Sequence, residues 1–203
     1  TMGPPQAAKV MKEAYSLGVD QGAILSDRKF GGADVLATSY TIAQGIKKMG
    51  EFDLILCGKQ TTDGDTAQVG SEVSEWLNIP SIANVCEIRE VTDDSITVAM
   101  DMAEDIEITK VKYPCLLSVD KDIFQPRLPS YLKKQATKDK EILIYSLADM
   151  EDQDEMHYGL NGSPTQVQRI FPPEVNDSQE FWNGEGEELA QRLFYKVKEL
   201  KFI

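Results

Sequence analysis

The chain has 203 residues, of which 41% are hydrophobic, and its formal net charge is −13 at pH 7. This length supports one substantial core, and the acidic balance argues against a nucleic-acid backbone as the main partner, because such a partner needs a basic face. No apolar run approaches the length of a bilayer span, and no signal peptide is recognisable. Three cysteines without Cys-x-x-Cys spacing indicate reduced thiols and a cytoplasmic location.

Strand and helix patterns alternate along the first 50 residues. A helix is predicted from residue 6 with Gly18 as its stop, and a short strand follows at residues 22–25. Asp34 is predicted to cap a second helix that Gly50 closes.

The next unit repeats this order. The apolar run at residues 52–57 predicts a buried strand, and a third helix is predicted with Asp65 as its cap. Asp65 and Gln68 have the spacing of a capping box, and Asn78 is typical of a helix end.

Alternation at this spacing predicts an α/β fold with a doubly wound, mostly parallel sheet, similar to the Rossmann fold. Three loops, at residues 1–5, 26–33 and 58–65, are then expected to share the carboxyl edge of the sheet and to form a pocket. The sequence begins with what is typical of the end of a strand, so we expect it to lack an upstream part of the domain.

Residues 58–70 connect the predicted strand at residues 52–57 to the third helix. Their sequence is Gly-Lys-Gln-Thr-Thr-Asp-Gly-Asp-Thr-Ala-Gln-Val-Gly. Backbone N–H groups at such a loop attract phosphate, and its lysine, glutamine and threonines supply further donors. The loop matches neither a P-loop nor a Gly-x-Gly-x-x-Gly fingerprint. A plain connection therefore remains the alternative, with Asp63 and Asp65 organising the loop.

From residue 81 the pattern changes. Strands are predicted at residues 82–90, 95–99, 104–112 and 115–119. A polar turn at residues 92–95, and alternating apolar and polar residues at 106–109, favour antiparallel hairpins added to the sheet.

A cationic segment at residues 121–141 follows the strands. Its apolar and aromatic centre, with Tyr131 and Leu132, is typical of a docking loop, whereas a solvated charged face is the alternative. The residues predicted to dock a partner are Arg127, Tyr131, Leu132, Lys133 and Lys134.

The C-terminal quarter is predicted to form a separate arm, so the domains are expected at residues 1–148 and 149–203. Residues 149–155 are expected to be an acidic surface linker, and residues 159–173 are rich in turn formers, with a short strand or extended arm at 167–171. The tail at residues 185–201 is predicted to be an amphipathic helix facing either the core or a partner.

The sequence offers little catalytic chemistry of its own. The single histidine, His157, lies in the acidic stretch without a cysteine or serine constellation, so neither a catalytic triad nor a histidine-based metal site is expected. No metal ligands are assigned.

Several motifs, in order, resemble the electron transfer flavoprotein beta subunit. Residues 58–70 resemble the signature of that family, and residues 2–7 and 26–34 resemble two of its earlier loops. Pro126-Arg127 with its lysine-rich continuation and residues 162–167 match later motifs.

The resemblance implies an alpha/beta heterodimer that carries electrons between flavoenzymes. The implied nucleotide is FAD in the electron-bifurcating type, with NADH as electron donor, or a structural AMP in the ordinary type. The resemblance assigns the nucleotide to two loops. The positions are Met2, Gly3, Gly58, Lys59, Gln60, Thr61, Thr62, Asp63, Gly64, Asp65, Thr66, Ala67, Gln68 and Val69.

The segment at residues 27–34, followed by Ala37-Thr38-Ser39, is similar to the bifurcating type, which implies that Gly32 and Thr38 line the flavin and nicotinamide side. Val35 stands where relatives often carry threonine, so the resemblance implies that a hydrogen bond toward NADH is lost at this position.

The implied partners are an electron transfer flavoprotein alpha subunit and a flavin-dependent, acyl-CoA-type dehydrogenase, recognised through the cationic segment. Tyr131 stands near an anchor position that is usually aliphatic in the family, which favours a different partner dehydrogenase. A nucleotide-binding sensor or stress-type domain of similar fold is the alternative from another class.

Overall fold

The computed structural model describes residues 1–62, 64–172 and 179–203. Its described residues divide into two compact units, Thr1–Gln166 and Val167–Ile203. The predicted boundary at residue 149 lies inside the first unit. The assignment of the C-terminal arm to a partner subunit stays a prediction.

The first unit begins with alternating helices and strands. A 3-10 turn at Pro5–Ala7 leads into α1 (Ala8–Leu17), which ends at Gly18 with left-handed backbone, as predicted. The strand β1 (Ala23–Leu25), α2 (Val35–Met49), β2 (Leu54–Gly58) and α3 (Val69–Leu77) follow. Asn78 adopts a left-handed conformation at the end of α3, as its position predicted.

Four strands come next, close to the predicted positions. They are β3 (Ser81–Val91), β4 (Ser95–Asp101), β5 (Ile106–Lys112) and β6 (Cys115–Val119). The unit continues with α4 (Tyr131–Ala136) and β7 (Leu143–Tyr145), then 3-10 turns at Leu147–Asp149 and Glu155–His157.

The described strands form two sheets. The larger has the order β2-β6-β3-β4-β5, with β6 parallel to β2 and β3, whereas β3-β4 and β4-β5 are antiparallel. The smaller sheet pairs β1 with β7 in parallel. The α/β class and the added antiparallel hairpins are thus confirmed, and a single doubly wound Rossmann-like sheet stays a prediction.

Each sheet has its own apolar core. Beneath the larger sheet, buried residues from β3, β4 and β6 pack together, with Val85, Val98 and Leu117 fully excluded from solvent. Beside the smaller sheet, Leu25 and Phe30 pack against Leu147, Met150 and Tyr158. Residues 147–158 therefore supply part of this second core.

The acidic stretch at residues 149–155 is mostly exposed, as predicted, but it is more than a linker, because Met150 is buried and Asp152 accepts hydrogen bonds from Tyr40 and the Asp154 amide.

The second unit contains α5 (Gly186–Glu199), within the predicted tail helix. Lys196 pairs with Glu180 at 2.7 Å, and the guanidinium of Arg192 lies 4.6 Å from the ring centre of Trp182. Leu193, Phe194 and Leu200 remain more than half exposed. The predicted short strand or extended arm at residues 167–171 has no regular secondary structure, and residue 173, the last of the predicted turn-rich stretch, lies outside the described residues.

Candidate functional site

Three segments of the first unit meet in an open cleft of about 1000 Å³. Residues 1–5 form one wall, and residues from Leu25 to Gly31 form the second. Thr38 and Ile42 of α2 line the cleft, and Thr61 of the glycine-rich loop reaches it. The three predicted loops thus all reach one cleft, but the third contributes only this one threonine among the lining residues, and β1 and β2 lie in different sheets, so the loops do not share one sheet edge.

The first two walls are joined through the backbone. Met2 and Leu25 form a parallel bridge, and the Gly3 amide donates to the Leu25 carbonyl at 3.1 Å. The predicted nucleotide contacts Met2 and Gly3 thus lie at the end of β1, in the position that the carboxyl edge of a parallel sheet gives to ligands.

Asp27 shapes the second wall. Its carboxylate accepts from the Lys29 amide at 3.0 Å and from the Leu147 amide at 3.1 Å. The hydrogen bond from Lys29, with that from Leu147, holds the pKa of Asp27 below its usual value despite partial burial. The ionised side chain therefore fixes the 3-10 turn Arg28–Phe30, and Arg28 lines the cleft as a cation able to pair with phosphate.

The start of the glycine-rich loop lies in a second depression. Gly58, Lys59 and Gln60 line a volume of about 490 Å³ together with the residues that follow β6. The Lys59 amide donates to the Val119 carbonyl at 2.9 Å, and the Lys59 ammonium lies 3.8 Å from Asp120. The predicted nucleotide-binding loop therefore contributes to two neighbouring concave surfaces, with Thr61 at the cleft and residues 58–60 at the depression.

The remaining described loop positions are solvent-exposed and are not among the residues that line the cleft. They are Thr62, Gly64, Asp65, Thr66, Ala67 and Gln68. Val69 is the first residue of α3, and the predicted contact at Asp63 lies outside the described residues.

The predicted capping role of Asp65 is wrong. Asp65 and Ala67 both have positive φ, near 54° and 55°, so the chain enters the helix only at Val69, with Gln68 as its N-cap. The Asp65 carboxylate instead accepts a hydrogen bond from the Gln60 side chain, which closes the loop on itself. This contact agrees with the alternative role of the aspartate in organising the loop.

The last glycine of this segment serves packing. A Cβ at Gly70 would lie 2.6 Å from Sγ of Cys57, so α3 packs against β2 more closely than a larger residue permits. Burial raises the pKa of the Cys57 thiol, which is thus a neutral packing group.

The two residues predicted for the flavin and nicotinamide side behave differently. Thr38 lines the cleft from α2. Gly32 has left-handed backbone, with φ of 74°, and is not among the lining residues, whereas its neighbour Gly31 is. Gly32 instead faces Leu160, whose side chain would lie 3.4 Å from an added Cβ.

The predicted docking segment forms a short exposed helix. Ser130 caps α4 by accepting from the Lys133 amide at 3.3 Å, and its own amide donates to the Ser16 carbonyl of α1 at 3.1 Å. Tyr131 and Leu132 are 72% and 79% exposed.

Between α1 and α4 lies a groove of about 480 Å³. Its cationic lining side chains are Lys12, Arg127, Lys134 and Lys138, with Glu13 as the one acidic residue among the described lining residues. Sequence reasoning missed Lys12, because it lies on α1, more than 100 positions before the docking segment.

Within the described residues, no group of three or more histidine, cysteine, aspartate or glutamate side chains could hold a metal ion. The helices in this part of the chain are all too short or too polar to cross a membrane.

Comparison with known proteins identifies one family. The electron transfer flavoprotein domain matches residues 1–150. The electron transfer flavoprotein subunit beta of Clostridium acetobutylicum is 40% identical over 203 residues, which cover all of this chain and 77% of that protein. The chain belongs to the electron transfer flavoprotein family. The resemblance to beta subunits seen in the ordered motifs is thereby confirmed.

Two other relatives of this electron transfer flavoprotein chain are named for reductase complexes. The caffeyl-CoA reductase-Etf complex subunit CarD of Acetobacterium woodii is 41% identical over 204 residues, covering all of this chain and 77% of that protein. The acryloyl-CoA reductase electron transfer subunit gamma of Anaerotignum propionicum is 32% identical over 209 residues, covering all of this chain and 78% of that protein.

Sequence reasoning missed two long-range contacts of this electron transfer flavoprotein chain. Asp34 accepts hydrogen bonds from Thr165, and Asp152 accepts one from Tyr40. The family motif at residues 162–167 signalled that this segment matters, but pattern and spacing could not connect it with Asp34, some 130 positions earlier.

Proposed function

We propose that this chain is the beta subunit of an electron-bifurcating electron transfer flavoprotein that binds FAD in the cleft. It would receive electrons from NADH and pass them toward an alpha subunit and a flavin-dependent, acyl-CoA-type dehydrogenase. The observation that carries the proposal is the meeting of residues 1–5, residues 25–31, Thr38 and Thr61 around one cleft of about 1000 Å³. This volume is at the upper end of the range found for small-molecule and cofactor sites.

The lining residues have the chemistry that a dinucleotide requires. Met2, Phe30 and Ile42 provide apolar surface, while the guanidinium of Arg28 provides a cation suited to a diphosphate. When bound, FAD supplies the hydride and single-electron chemistry, and the chain binds and orients it. Gly58, Lys59 and Gln60, in the adjacent depression, are proposed to complete the nucleotide site.

The partner proposal rests on the cationic groove and on the relatives. Two of the relatives carry the names of caffeyl-CoA and acryloyl-CoA reductase complexes. On a chain with a net charge of −13, a groove with four cationic side chains and exposed apolar neighbours is suited to an acidic partner surface. Membership of the family also favours an electron-transfer subunit over a sensor or stress-type domain.

Thr38 offers a test that separates FAD from AMP. The change Thr38→Phe adds a large side chain to the cleft wall, on the side proposed for the flavin. We expect the purified complex to lose FAD from this subunit while still binding AMP, measured by absorbance and by chromatography of the released nucleotides. The variant Thr38→Val, which removes the hydroxyl at nearly constant volume, should keep FAD. Wild-type FAD content in Thr38→Phe would overturn the proposed site.

Charge reversal tests the docking surface. The double variant Lys133→Glu, Lys134→Glu should slow electron transfer between the complex and its dehydrogenase and leave the flavin content intact, because rim charges mainly control the association rate. An unchanged transfer rate at low ionic strength would contradict docking through α4.

A further inference from the structure

Residues 159–165 form a strap that lies against the loop at residues 26–34. The Leu160 amide donates to the Gly31 carbonyl at 3.1 Å. Gly159 passes so close to the loop that an added Cβ would lie 2.1 Å from the Lys29 carbonyl oxygen. Because Gly31 also lines the cleft, the strap and the cleft contact the same segment of chain.

The strap is fastened at Asp34, the N-cap of α2. One carboxylate oxygen of Asp34 accepts from the Ala37 amide at 3.1 Å, and the other accepts from both the amide and the hydroxyl of Thr165, at 3.0 and 2.8 Å. The Asp34 amide donates to Oγ of Ser163 at 2.8 Å. The buried Ser163 hydroxyl in turn donates to the Gly159 carbonyl at 2.6 Å.

The hydrogen bonds among Asp34, Ser163 and Thr165, here called the clasp, go beyond what a helix cap requires. A cap needs only the bond from Asp34 to the first turn of α2. The bonds to Ser163 and Thr165 instead connect the start of that helix to a segment about 130 positions later. Burial acts to raise the pKa of Asp34, but the hydrogen bonds from Ala37 and Thr165 outweigh it and keep this pKa below its usual value.

We propose that Asp34, Ser163 and Thr165 are positioning residues for the cleft. Their bonds hold the strap against the loop at residues 26–34 and fix the distance between that loop and α2, which carries Thr38. They act through the backbone of the loop and do not touch the ligand themselves. The inference rests on the proposed function for the identity of the ligand, but the mechanical role of the clasp does not depend on it.

The test uses the full chain and three variants. Thr165→Val removes one hydroxyl from an exposed position, and Thr165→Ser restores it. Thr109→Val is the matched control, because Thr109 donates to Glu107 on β5, in the antiparallel part of the larger sheet. Amide hydrogen exchange of residues 26–34 is measured without ligand, and AMP affinity is measured by calorimetry.

We expect Thr165→Val to speed exchange at the Asp34 and Leu160 amides and in the loop, roughly tenfold. AMP affinity should weaken by about fivefold to tenfold, which is less than the roughly tenfold to hundredfold associated with one hydrogen bond to a charged group, because the Thr165 hydroxyl acts on the ligand only through the loop. Thr165→Ser should return both values toward wild type, and Thr109→Val should change neither.

The outcomes separate the two proposals. Wild-type exchange and wild-type AMP affinity in Thr165→Val would overturn the positioning role. Failure of the wild-type chain to bind FAD in the same calorimeter would overturn the proposed function, and the exchange measurement would still decide whether the clasp holds the loop.

Discussion

The hydroxyl of Tyr40 donates a hydrogen bond of 2.5 Å to Oδ2 of Asp152, which joins α2 to the segment after β7. Nδ1 of His157 lies 2.6 Å from the same oxygen, and the Tyr158 hydroxyl donates to the Asp152 backbone carbonyl at 2.6 Å. The hydrogen bond from Tyr40, with those from the Asp154 amide and His157, lowers the pKa of Asp152 to about 2. Burial, with the carboxylate, raises the pKa of Tyr40 to about 12.

Replacing Tyr40 by phenylalanine should destabilise the first unit. The change keeps the ring packing against Trp76 and Tyr158 but leaves Asp152 without one of its donors. We expect a loss of about 1 to 2 kcal/mol in the free energy of unfolding, measured by urea denaturation. Tyr131→Phe, at a 72% exposed position, should change it by less than about 0.5 kcal/mol. Equal effects in the two variants would show that the Tyr40 hydroxyl adds no stability.

The pair of His157 and Asp152 should make stability depend on pH above neutrality. The hydrogen bond with Asp152 raises the pKa of His157 above its usual 6.5. The pair therefore stabilises the fold fully below about pH 6.5, and this contribution is lost as the pH rises through the folded-state pKa.

His157→Gln tests this dependence. The urea midpoint of the wild type should exceed that of the variant by more at pH 6 than at pH 8.5. A difference that does not vary with pH would contradict the charged pair.

Gly159→Ala should be strongly destabilising. Gly159 has a φ of 53°, and the added Cβ would meet the Lys29 carbonyl at 2.1 Å, where backbone on both sides must move. Conformational strain alone costs about 1 to 3 kcal/mol, and the clash adds to it. Gly186→Ala is the control, because an added Cβ there meets nothing within 4 Å. Thermal denaturation of both variants checks the prediction, and a wild-type midpoint for Gly159→Ala would refute the close approach.

Lys12 should contribute to docking although it lies outside the cationic segment. It lines the groove between α1 and α4, whereas Lys9, also exposed on α1, is not among the described lining residues. Lys12→Glu should lower the second-order rate of electron transfer with the dehydrogenase by about threefold to tenfold at low salt, with a smaller effect at high salt. Lys9→Glu should have little effect. Equal rates for the two variants would remove the groove from the interface.

Capping rules predicted the start of a helix correctly where the local backbone allowed the cap to form. Asp34 caps α2 as its position suggested, because its own backbone is extended and its carboxylate accepts from the Ala37 amide in the first turn. Asp65 has the same residue type and similar spacing, but the left-handed backbone at Asp65 and Ala67 delays α3 to Val69. Sequence spacing alone does not report such backbone conformations.

Charge patterns were less informative than packing. Residues 149–155 are acidic enough to indicate a surface linker, yet Met150 belongs to a core and Asp152 collects hydrogen bonds from α2 and His157. The contact between Tyr40 and Asp152 joins positions 112 residues apart, and no local rule connects them. Ordered family motifs, in contrast, identified the loops that meet at the cleft.

The central claim is that the nucleotide in this subunit is FAD. The most direct measurement is the number of flavins and of AMP molecules released from the purified heterodimer with the alpha subunit. The account predicts two flavins per heterodimer and no AMP. One flavin together with one AMP would contradict it.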